Sequence, residues 1–124
     1  MQVKIDTKEK FHVITIQESS LTANMTEELG SRLLTYLQSP VKNMVLNIKD
    51  IKQLDDAAAE ALIHLQQRFY EKSASFVVCE LDPGLEGALD KSGLLEILNV
   101  VPTESEAYDI VQMEEIEREL LGEG

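Results

Sequence analysis

Few side chains in this sequence could do acid–base or covalent chemistry. The two histidines, His12 and His64, are far apart in the chain, and neither has a Ser or Cys nucleophile in a recognisable setting. We read His12 as a strand residue and His64 as a solvated helix residue. Cys79 is the one cysteine and lies in the apolar run Phe76-Val77-Val78-Cys79. Burial raises a thiol pKa, so Cys79 reads as core and not as a nucleophile. A lone cysteine also excludes an internal disulfide and any multi-Cys metal site. No His/Asp/Glu group has metal-ligand spacing. The phosphate-cradling patterns G-x-x-x-x-G-K-S/T and G-x-G-x-x-G are absent, so no cofactor is implied. Asp55-Asp56 is the one paired-carboxylate feature. It reads as a helix cap that complements the helix dipole, each part contributing ~1 kcal/mol or less. It also reads as a functional surface at a strand-to-helix turn, the place where sites collect in α/β sheets.

The elements around these residues follow from periodicity. Val3 and Ile5 alternate with Lys4 and Asp6, and Phe11 to Gln17 is β-rich, so two strands form a hairpin. Glu18-Ser19-Ser20 breaks the pattern. A helix runs from about Thr22 to Gln38 on Met25, Leu29, Leu33, Tyr36 and Leu37, and Ser39-Pro40 ends it. Met44 to Ile48 is a buried strand, and Asp50 to Leu54 is a connector. The helix opened by Asp55 and Asp56 buries Ala58, Ala61, Leu62, Leu65 and Phe69. Phe76 to Cys79 is another strand. Asp82-Pro83 starts a helix with Leu85, Ala88 and Leu89 inward, closed by Ser92-Gly93. Val100-Val101 is the last strand. Thr103 caps a final acidic helix, about 104–121, with Ala107, Ile110, Val111, Met113, Ile116 and Leu120 as its apolar positions. The order β-β-α-β-α-β-α-β-α predicts one α/β domain over 1–124, with a mixed, mostly parallel β-sheet packed with helices.

Composition narrows the function classes. The chain has 124 residues, 44% hydrophobic and 27% charged, which is a globular profile. Its net charge of −12 disfavours nucleic acid, whose phosphates need clustered Lys and Arg. The charge is local: residues 1–53 carry net +1, residues 54–103 net −6, and residues 104–124 net −7. No apolar run approaches the ~20 residues of a membrane span, so no membrane insertion is expected and a cytoplasmic location is the default.

Three stretches resemble the STAS domain, the family of anti-sigma-factor antagonists and of the cytoplasmic domains of sulphate transporters. Val45-Leu46-Asn47-Ile48-Lys49-Asp50, continuing to Leu54-Asp55-Asp56-Ala57-Ala58-Ala59-Glu60, is similar to the family's apolar strand followed by hydrophobic-D-S-S/A-G opening a helix. Leu85 to Leu94 is similar to its helix ending in a T-G-L-type turn. Val100-Val101-Pro102-Thr103-Glu104-Ser105-Glu106-Ala107 is similar to its P-T-x-x-E-A junction. The resemblance implies a non-enzymatic bacterial protein-binding module that acts in signalling and transcription regulation. In the antagonist branch the partner is an anti-sigma factor that is also a serine kinase. It phosphorylates a Ser at the start of the helix after the third strand, and the added charge of about −2 breaks the complex.

The sequence departs from the family at that point. Matching Leu54-Asp55 to the family's hydrophobic-Asp pair puts Asp56 at the first Ser and Ala57 at the phosphoacceptor, with Ala58 in place of Gly. Ala57 has no hydroxyl, and the nearest in sequence, Ser39 and Ser73, lie at helix ends elsewhere. The loop Gln17-Glu18-Ser19-Ser20 stands where the family often has a Gly and an Asp. The expected partner surface is Asp55, Asp56, Ala57, Ala59 and Glu60 with the Ser19-Ser20 loop. The expected partner is an anti-sigma factor, a serine-kinase-like regulator or another STAS protein, and a homodimer stays open. Two alternatives remain, a soluble STAS subunit of a membrane transport complex and a STAS scaffold subunit in a larger signalling assembly.

Overall fold

The computed structural model describes residues 1–122. Its frame is a five-stranded sheet. β1 (Val3–Thr7) and β2 (Phe11–Ile16) pair antiparallel, from Val3 opposite Ile16 to Thr7 opposite His12. The tight turn between them is closed by Lys8 N donating to Phe11 O at 2.8 Å. β4 (Asn43–Asn47), β6 (Phe76–Cys79) and β7 (Val100–Val101) then add in parallel, giving the order β1-β2-β4-β6-β7.

Helices cover both faces, so β4 and β6 are buried along their whole length. Alternate residues point to opposite sides. Ile14, Ile16, Met44, Leu46, Phe76 and Val78 face the larger core. There they meet Leu29 and Leu33 of α1 (Ala23–Leu34), Leu62, Leu65 and Phe69 of α2 (Asp56–Glu71), and Leu85 of α3 (Pro83–Lys91). The Phe69 and Phe76 rings sit 5.3 Å apart at its centre. Phe11, Val13, Val45, Val77 and Cys79 face the other way and meet only Ala107 and Val111, among the fully buried side chains of α4 (Glu104–Leu120).

The expected mixed, mostly parallel sheet is present, and three local expectations are corrected. First, the segments read as a break and a connector each contain a two-residue strand. β3 (Ser20–Leu21) and β5 (Gln53–Leu54) pair in parallel as a separate small sheet. Second, the first helix is α-helical only to Leu34, and Thr35–Gln38 tighten into a 3-10 turn. Ser39 is extended at φ −92° and ψ 164°, as the residue before Pro40 must be. Third, Ala88 is exposed and Ala61 only half-buried, because α3 touches the core along the narrow line of Leu85 and Leu89, and Ala61 sits at the edge of the α2 stripe. Beyond these, Met113, Ile116 and Leu120, named above only as apolar positions of α4, are exposed. Polar bonds to Tyr70, Asn43 and Ser75 turn Glu114, Glu115 and Arg118 inward in their stead.

Candidate functional site

The start of α2 is built by its caps. Asp55 is extended at φ −79° and ψ 160°, and its Oδ1 accepts from Ala58 N at 2.7 Å. This satisfies one of the amides that a helix start leaves without a partner. Asp56 is the first helical residue, exposed, and placed where the helix dipole favours a carboxylate. Ala57 and Glu60 are exposed beside it.

The β3–β5 pair brings the second sequence-predicted segment to this place. Ser19 O accepts from Lys52 N at 2.7 Å and from Gln53 N at 3.1 Å. Ser20 lies opposite Gln53, and Leu21 opposite Leu54, the residue before Asp55. Ser19 is exposed and Ser20 half-buried, while Leu21 anchors the loop in the core. Ser19, Ser20, Asp55, Asp56, Ala57 and Glu60 thus border one continuous surface. Ala59 does not belong to it. It is 0% exposed, turned inward by the helical period, and offers no atom to a partner.

Two further residues adjoin this surface that the sequence reading left out. Lys52 Nζ donates to Asp82 Oδ1 at 3.0 Å, tying the residue before β5 to the cap of α3. That bond, aided by Gly84 N–H, holds the Asp82 carboxyl below its ordinary range. The Asp82-Pro83 cap was legible, but its partner thirty positions upstream carries no local signal.

The groups weighed for catalysis are in structural positions. His12 is buried, with Nε2 2.8 Å from Val41 O and therefore carrying hydrogen, and with Nδ1 3.0 Å from Thr7 Oγ1. His64 is exposed on the outer side of α2. Burial, reinforced by the charges of Glu104 and Glu80, pushes the Cys79 thiol up to about 12. Burial and the hydrogen bond to Glu114 likewise raise the Tyr70 hydroxyl. Among the described residues no three His, Cys, Asp or Glu side chains group so as to hold a metal ion. No helix among them is long and apolar enough to cross a membrane. What the α2 start can do is present carboxylates and hydroxyls to another surface. One cavity of about 500 Å³ lies elsewhere, lined by Lys10, Lys42, Lys72, Glu115 and Arg118 among others.

The family model for the STAS domain matches residues 2–107. Solved structures share the fold. An anti-sigma-factor antagonist (STAS) domain protein from Planctomyces limnophilus superposes with a TM-score of 0.73 at 17% identity, over 89% of this chain and 97% of that one. The Bacillus cell fate determinant SpoIIAA in its phosphorylated form gives 0.63 at 17% identity, over 89% and 99%. The murine Slc26a9 anion transporter gives 0.67 at 14% identity, over 83% of this chain but only 18% of that one. From β1 to the first turn of α4, the family match spans every strand of the sheet and the surface at the start of α2, and this chain belongs to the STAS domain family.

Proposed function

We propose that this chain is a non-enzymatic regulatory module that binds a protein partner through the start of α2 and the Ser19–Ser20 loop. The observation that carries this reading is the β3–β5 pairing, which joins two sequence-distant exposed segments into one surface at the carboxyl end of the sheet. Its fold is shared with anti-sigma factor antagonists, whose partner class is an anti-sigma factor or a kinase-like regulator. The local charge supports a basic partner face, because Asp55, Asp56 and Glu60 bring three carboxylates and Lys52 is engaged with Asp82.

The surface is not switched in the manner the family resemblance implies. Ala57 stands exposed at the matched phosphoacceptor position and has no hydroxyl to receive phosphate. Binding is therefore constitutive with respect to that modification. Its place of action is the cytoplasm.

Co-purification from the source cell, read by mass spectrometry, tests the binding claim. The expected result is recovery of an anti-sigma factor, a serine kinase or another STAS protein, lost in the Asp56→Lys/Glu60→Lys variant. Recovery of none of these would overturn it. The same experiment addresses a second reading, a subunit beside a membrane transporter, which the likeness to the Slc26a9 fold favours. A permease or transport ATPase in the eluate would decide for that reading. Independently, Asp56→Ser/Ala57→Ser offered to the recovered kinase and ATP gains a phosphate that the parent chain does not accept.

A further inference from the structure

The last helix is amphipathic the wrong way round along its second half. Three of its charged side chains turn toward the domain. Glu114 accepts from Tyr70 OH at 2.6 and 2.8 Å, and Glu115 accepts from Asn43 Nδ2 at 2.6 Å. Arg118 donates to Ser75 Oγ and to Asn43 Oδ1, each at 3.2 Å. Its apolar side chains turn away. Met113 is 55% exposed, Ile116 56% and Leu120 81%. At about 100° per residue these three fall within about 60° of one another, roughly opposite Val111, which packs on the sheet. A helix needed only to cover the sheet would have the reverse pattern. An aligned apolar stripe left in water marks an interaction surface more often than a scattered exposed residue does. The stripe lies beyond residue 107, where the family match ends.

The charges around the stripe define what fits it. Glu106, Asp109, Glu117 and Glu119 border it, all exposed, and none is in an ion pair among the described residues. The one cation of the helix, Arg118, is turned inward. A second copy of this chain would set these carboxylates against their own counterparts, and an anionic lipid surface would repel them. We infer that the outer face of α4 docks a basic amphipathic helix of a partner protein, with apolar side chains on Met113, Ile116 and Leu120 and with Lys or Arg reaching the flanking carboxylates. This face belongs to the side of the sheet opposite α1, α2 and α3, so it is a second contact surface, separate from the α2 start. Loss of one leaves the other in place.

The test uses the full chain and a synthetic Leu/Lys amphipathic peptide of about 18 residues, long enough to be helical when bound. Binding is read by fluorescence anisotropy beside a Leu/Glu peptide of the same pattern. The variant Met113→Gln/Ile116→Gln/Leu120→Gln keeps every charge and, being exposed, keeps the melting temperature. The expected result is affinity for the Leu/Lys peptide that falls about tenfold or more in this variant. It should fall also in Glu106→Gln/Asp109→Asn/Glu117→Gln, and the Leu/Glu peptide should not bind. Equal binding by the parent and the Gln variant would reduce the effect to unspecific charge and overturn the inference. So would absence of binding to the parent. Stripe-dependent self-association in sedimentation, or stripe-dependent binding to phosphatidylcholine–phosphatidylglycerol vesicles, would overturn it in favour of a second copy or a lipid surface.

Discussion

Ala57 and Ala59 are chemically identical and two positions apart, yet one faces solvent and the other is fully buried. A single turn of helical period decides which can meet a partner. Sequence alone placed both on the candidate surface, because it fixed where the helix begins more firmly than its rotation. Helix starts were the most legible single positions, and Thr22, Asp55, Asp82 and Thr103 each accept a bond from an amide of the first turn. Cys79 was legible too, from its apolar neighbours, and it yields a prediction. A thiol-reactive disulfide reagent at about pH 8 should leave the folded chain unlabelled and label the urea-unfolded chain fully. The sign of the linkage follows from the raised thiol. Between its ordinary value of 9.0 and about 12 the unfolded state binds fewer protons than the folded one. Stability therefore falls with rising pH across that window, and the slope should flatten in Cys79→Ala.

Among elements, length decided legibility. The five-residue β4 and the 16-residue α2 carry enough periods to be read directly. β3 and β5 hold two residues each, fewer than one full alternation, so nothing local could mark them. They exist because Leu21 is buried and draws its neighbours alongside Gln53–Leu54. The rotation of helix α4 was illegible for a different reason. Its apolar residues do have helical spacing, but the bonds that orient it run from polar residues to Asn43, a buried strand residue with no helical pattern to betray it. Asn43 Oδ1 accepts from Ser75 N at 2.8 Å and from Arg118, while Nδ2 donates to Lys10 O and Glu115. Asn43→Leu should cost about 2–3 kcal/mol in urea unfolding, because Ser75 N is left buried without a partner. Hydrogen exchange should quicken most in the second half of α4, whose apolar anchoring ends at Val111. Uniform loss of protection across all helices would contradict this account.

The whole molecule is a sheet with unequal coverings. One face carries three helices and most of the buried side chains, and the other carries one helix on a small cluster. The sequence order made the sheet and its crossovers readable, but not which helix would stand alone, because handedness does not say how much apolar surface each helix finds. Charge is also a property at this scale. The net charge is −12, and three ion pairs are present among the described residues, Lys8–Asp6, Lys10–Glu115 and Lys52–Asp82. Self-repulsion should therefore outweigh local attraction. Raising ionic strength from about 0.01 M to about 0.15 M shortens the screening length from about 30 Å to about 8 Å and should raise the melting temperature. A fall would show that the few ion pairs dominate.

The Asn43 network also constrains how relatives of this chain can diverge. Its four partners sit on the β1–β2 turn, just before β6 and at two places on α4. Replacing Asn43 strands Ser75 N and takes one bond each from Arg118 and Glu115, and replacing Arg118 or Glu115 takes one bond from Asn43. Single changes at these positions are each penalised, and even a joint exchange to apolar residues leaves the buried backbone N–H of residue 75 without its acceptor. Across homologues, positions 115 and 118 should therefore drift together while position 43 keeps an acceptor for that amide, and a lineage that drops the side-chain bonds would be one in which the last helix holds to the sheet by apolar contact alone.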